Sequence, residues 1–89
     1  MLYPFMTLDD NTEITHSEML EDGQVRVSVE RPVHLGFHSA VCMLPSYEWK
    51  DIVGFSASDL DQFKEIIGST AHLIMEYAQT GGFLNASGL

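Results

Sequence analysis

The stretch Gln24-Val25-Arg26-Val27-Ser28-Val29-Glu30 decides the fold class. Three valines alternate with polar residues, so as a strand it buries one face and wets the other. On its N-terminal side, Glu21-Asp22-Gly23 is a hairpin turn and Ile14 to Leu20 reads as the partner strand. A two-residue Asp22-Gly23 loop would set Glu18 opposite Val27, with a carboxylate on the valine face, which is costly. A three-residue loop with Gly23 left-handed sets Met19 opposite Val25 and Glu18 opposite Arg26, and this is the predicted register. Further out, Asp9-Asp10-Asn11 is a turn and Leu2 to Leu8 a short strand, held to an edge or a strand start by Pro4. On the C-terminal side Pro32 ends the valine strand. A loop through His34 and Gly36 leads to Phe37–Leu44, stopped by Pro45. That strand has apolar residues on both faces, Phe37, Val41 and Met43 on one, Ala40, Cys42 and Leu44 on the other. It is either central and covered twice, or its second face meets a partner.

Beyond a connector the period changes. Leu60, Phe63, Ile67, Ala71, Ile74 and Ala78 recur at helical spacing, widened by Ile66 and Tyr77. Ser58 is the predicted N-cap, Asp59 and Asp61 suit the first turn, and Gly81-Gly82 stops the helix. At about 30 Å the helix is longer than three or four short strands require, so one end is expected to project. The predicted fold is α+β: a three- to four-stranded antiparallel sheet (about 2–44), a connector (45–57), one long C-terminal helix (about 59–80) and an apolar tail (83–89). The 89 residues form one domain, since a chain of this length cannot bury two cores.

With 45% apolar residues the composition excludes a disordered chain, and no apolar run approaches the roughly 20 residues of a membrane helix. The formal charge is −9, from thirteen acids against four bases. Such a field repels phosphate backbones and anionic membranes and steers toward basic proteins, so neither nucleic acid nor membrane is an expected partner. Asp9, Asp10, Glu13, Glu18, Glu21 and Asp22 precede the first base, Arg26, which predicts one strongly negative end or face. A lone cysteine, Cys42, and the absence of a basic, then apolar, leader point to the cytoplasm.

Motifs for chemistry are sparse. Asp9-x-Asn11-x-Glu13 opens like a calcium loop, but the sixth position is Ile14 and the twelfth Leu20. Cys42 sits between Val41 and Met43, with no activator nearby in sequence, and reads as a structural thiol. His16, His34, His38 and His72 have no zinc-ligand spacing and read as surface residues; His72 and Glu76 share a helix face. No cofactor is implied. Leu44-Pro45-Ser46-Tyr47-Glu48-Trp49-Lys50 sets two aromatics at alternate positions, either as lids on the core or as recognition anchors.

Tyr3-Pro4-Phe5-Met6-Thr7-Leu8-Asp9-Asp10, Leu44-Pro45-Ser46-Tyr47-Glu48-Trp49 and Ser69-Thr70-Ala71-His72-Leu73-Ile74 resemble segments of short acidic bacterial proteins of uncharacterised function. At the level of fold, the sheet set beside a helix is similar to HicB-type antitoxins, though here the helix follows several strands and no DNA-binding appendage is present. The expected function is that of a non-enzymatic acidic protein-binding module, an antitoxin-like or inhibitor-like neutraliser of a basic partner, itself a homodimer. The expected contact residues are Asp9, Asp10, Glu13, Glu18, Tyr47 and Trp49. The alternatives are a small metal-dependent or acid–base enzyme using the histidines, and a structural subunit of an assembly.

Overall fold

The computed structural model describes residues 1–80; the predicted apolar tail and Gly81-Gly82 stop lie outside the described residues. Five strands form one antiparallel meander in chain order: β1 (Leu2–Thr7), β2 (Glu13–Ser17), β3 (Val25–Val33), β4 (Gly36–Leu44) and β5 (Glu48–Val53). A single helix, α1 (Ala57–Gln79), follows and covers one face. The architecture is the predicted α+β one, with a fifth strand inside the predicted connector.

The valines do what their spacing demands. Val25, Val27 and Val29 are fully buried and stand beside Leu44, Cys42 and Ala40 of β4 and Ile14 of β2. Phe63, Ile67, Ile74 and Ala78 of α1 close over them. β3 and β4 have nine residues each, about 30 Å of strand. The 23-residue helix is about 34 Å long, against a longest molecular dimension of 35 Å. The helix and the two long strands are thus of similar length. β3 outlasts its predicted end because β2 accompanies it only as far as Glu13 opposite Glu30. Pro32 lies beyond that point, so on that side no neighbouring strand asks for its missing N–H.

The helix starts two residues earlier than predicted. Ser56 is the N-cap: its hydroxyl accepts from the Asp59 N–H at 3.1 Å, and the Asp59 carboxylate accepts from the Ser56 N–H at 2.9 Å. Ser58 has the same sequence pattern. Capping at Ser56, however, puts Phe55 just before the cap and Leu60 at the fourth helical position, the spacing of a hydrophobic staple. Both pack in the core.

The β2–β3 turn has the predicted three-residue loop. Leu20 and Gln24 close it, and Gly23 is left-handed at φ +83°. Beyond the turn the register differs from prediction by one residue: His16 faces Val27 and Ile14 faces Val29. An extra residue is absorbed on the β2 side between Ser17 and Leu20, where the Met19 N–H bonds the Ala78 carbonyl of α1 instead of β3. The Ser17 hydroxyl fills the gap by accepting from the Arg26 N–H. Glu18 therefore does not face Arg26; its carboxylate lies 3.8 Å from the N-terminal amine.

Cys42 is fully buried in the centre of this core, and burial pushes its thiol up to about 11. In native protein at pH 8 a thiol reagent such as dithionitrobenzoate is expected to leave Cys42 unmodified for as long as the protein stays folded. Urea should release one equivalent. Rapid stoichiometric labelling without denaturant would contradict this packing.

Candidate functional site

The antiparallel meander divides the acidic N-terminal quarter between two ends of the molecule. Asp9, Asp10 and Glu13 lie at one end, with the β3–β4 hairpin and the start of α1. Glu18, Glu21 and Asp22 lie at the other, with the end of α1 and the β4–β5 turn. β2 separates them by about 16 Å of strand. The expected contact set is thus not one surface. Tyr47 and Trp49 fall with the Glu18 end; both are half-buried and pack against the core under α1. Tyr47 holds a left-handed turn at φ +61° by donating its N–H to the Met43 carbonyl. Its hydroxyl lies beside Gly68, where a Cβ would make only an ordinary contact with it, so this packing does not by itself require glycine.

At the first end the polar centre is Arg31, on the helix-facing side of β3. Its Nε donates to the Thr12 hydroxyl at 2.9 Å, and its guanidinium lies 3.1 Å from Asp10 and 3.9 Å from Asp59. The same guanidinium stacks over Phe55 and Phe63, 5.2 and 5.5 Å from the ring centroids. Thr12 is fully buried and donates its N–H to Asp10. Asp10 is held below its ordinary value, first by the Thr12 hydrogen bonds and then by Arg31. Asp59 is lowered mainly by the Ser56 N–H, with smaller contributions from Arg31 and His38. Asp10 is therefore a structural acid as well as an expected contact residue. A cleft of about 430 Å³ opens beside this cluster, between Met6–Asp10 and Gln62, Phe63 and Ile66.

On the face of the sheet opposite α1, at the same end, Glu13 and Glu30 stand directly opposite each other across β2 and β3. Both are exposed, and among the described residues neither has an ion-pair partner. They border a depression of about 460 Å³ with Thr7, Asn11, Pro32 and Phe37. Phe37 is 61% exposed, and Val53 and the hairpin tip Leu35 stand nearby at 57% and 94%. Glu30 and Phe37 escaped the sequence reading because only the register shows that they share a hollow with Glu13. The cue was present in the two apolar faces of 37–44. Val41 and Met43 on the second face are buried, and Phe37 is not.

The histidines do not gather. Among the described residues no three His, Cys, Asp or Glu side chains converge on a metal-sized site. His34 and His72 are exposed, and His38 packs edge-on against Phe55 beneath Gly54. Gly54 has φ +85°, and a Cβ there would collide with the His38 ring. His16 departs from the surface reading: it is 0% exposed, between the rings of Tyr3 and Phe5. The one-residue register shift puts it there. Its Nδ1 donates to the Ser17 carbonyl at 2.9 Å, and Nε2 has no partner among the described residues.

Arg31→Met is expected to destabilise the fold by about 1.5–3 kcal/mol in urea titrations, because it leaves buried Thr12 and two carboxylates without their donor. Arg31→Lys should recover only part, since an ammonium cannot serve three acceptors in a plane. Asp10 and Asp59 are lowered in the folded state from an ordinary value of 3.8. Their stabilisation is present above about pH 4 and is lost as pH falls through the depressed folded values. Asp59→Asn should flatten the fall in Tm below pH 4 and lower Tm at pH 7; an unchanged acid limb would contradict the assignment.

No protein-family model, curated protein or solved structure matches the chain, so its function is argued from the geometry above.

Proposed function

We propose that the protein is an acidic binding module of the cytoplasm that acts by protein–protein contact, as an antitoxin-like or inhibitor-like neutraliser of a basic partner. The observation that carries this is the fate of the four bases. Arg31 is turned inward to hold the fold, which leaves Arg26, Lys50 and Lys64 as the exposed cations against a surface crowded with acids. At the Arg31 end, Asp9, Glu13 and Glu30 carry charge that no ion pair among the described residues neutralises. Such a surface accelerates encounter with a basic protein and discourages acidic ones. Cys42, sealed and protonated, offers no nucleophile, and among the described residues no helix is long and apolar enough to cross a membrane.

The test begins with capture of the partner from the native lysate at low salt and continues with association kinetics on the purified pair. Asp9→Asn/Glu13→Gln/Glu18→Gln should slow association by about tenfold or more at low salt, flatten its salt dependence and leave dissociation nearly unchanged. Asp10 stays in place because Arg31 needs it. An unchanged association rate would refute steering by these residues.

A further inference from the structure

The depression between Glu13, Glu30 and Phe37 sets two acids directly opposite each other beside an exposed ring. Two like charges set directly opposite on neighbouring strands repel. Among the described residues neither carboxylate forms an ion pair. Arg31, the nearest base along β3, points to the opposite face and is fully engaged by Thr12, Asp10 and Asp59. Arg26, the base on the same face of β3, is four residues away, about 13 Å along the strand. An aromatic ring and a proline complete the hollow, Phe37 facing Pro32 across the β3–β4 hairpin.

We infer that this hollow is the docking point for an arginine side chain of a basic protein partner. The inference rests on the reading of the protein as a receptor for such partners. Carboxylates on directly opposed strand positions stem from Cβ atoms about 4.5–5.5 Å apart. A planar guanidinium with five donors can bond both at once, whereas an ammonium is a point charge. The flat cation stacks on an exposed phenyl face, and Pro32 and Thr7 flank its alkyl stem. A volume of about 460 Å³ accommodates one such side chain. Charge decides against a second copy of this chain as the occupant. Each copy carries −9, and a symmetric pairing here would set Glu13 and Glu30 against themselves.

The experiment titrates a glycine-flanked two-arginine peptide into isotopically labelled protein at low salt and follows backbone NMR shifts. The lysine and citrulline versions of the peptide are run alongside. Shifts should centre on Glu13, Glu30, Pro32-flanking residues and Phe37, with arginine bound several-fold more tightly than lysine and neutral citrulline about tenfold or more weakly. Glu13→Gln/Glu30→Gln should abolish most of the binding and raise Tm, which also shows that the variant is folded. Phe37→Ala should weaken arginine more than lysine. Glu21→Gln/Asp22→Asn, at the far end, should have no effect. If the peptide binds but the far-end variant weakens it as much as the double glutamine variant, the hollow is wrong and the general acidic reading survives. If the peptide does not bind at low salt, both fail. Concentration-dependent dimerisation that shields Phe37 and is lost in Phe37→Ala would assign the hollow to a second copy and overturn the inference.

Discussion

The guanidinium of Arg31 ties together three parts of the molecule at one end of the sheet. The β1–β2 turn, the cap of α1 and two core aromatics meet on one planar cation. The turn is short and polar, and the first helical turn lies at the edge of the apolar core. Leu8 anchors the turn and Phe55 and Leu60 the helix start on the core, and Arg31 links the two. Hydrogen bonds to a charged group in a half-buried site are stronger than neutral ones at the surface. The aromatic floor excludes water from one side of the cation, and the Asp59 carboxylate that approaches it also caps the helix. Cap, turn and strand are thus one unit, and a change in any of them is felt by the others.

That arrangement has an electrostatic corollary. In a chain with four bases, committing one to the interior leaves the surface more acidic than the composition alone suggests. The helix-covered side uses its charges for structure, with Asp10 and Asp59 bound to Arg31. The side opposite the helix keeps Glu13 and Glu30 without an ion pair among the described residues, beside an exposed ring. One end of the protein therefore carries a stabilising ionic cluster on one face of the sheet and an unsatisfied acidic hollow on the other, separated by a single layer of backbone.

Much of the fold was legible because its signals were local and periodic. The valine alternation of 25–29, the helical stripe from Leu60 to Ala78 and the Gly23 turn each follow from a few consecutive residues. β5 was not legible. It is an edge strand whose Glu48 and Lys50 face water, and the left-handed Asp51 (φ +52°) breaks the two-residue period before Val53. The register of β2 was missed for a different reason: the extra residue after Ser17 is stabilised by the helix terminus, a contact between residues 19 and 78 that no local pattern encodes. The same slip carried His16 into the core and Glu18 away from Arg26. The candidate site was half legible. Acidity and Glu13 were plain, but adjacency in sequence was mistaken for adjacency in space. Asp9 and Glu18 are held apart by a strand, whereas Glu13 and Glu30, seventeen positions apart, are neighbours.

The two borders of the sheet have a consequence for how this molecule can meet others. β1 contains Pro4, which supplies no N–H, and a bulge between Pro4 and Met6. β5 is short, carries Glu48, Lys50 and Asp51, and shifts register midway along β4. Neither border offers a long, regular row of free amides and carbonyls on which another strand could template itself. Both borders thus disfavour growth of the sheet from molecule to molecule, the route to fibrils. Main chain at a border would accept any extended peptide, whereas the faces present side chains, where identity matters.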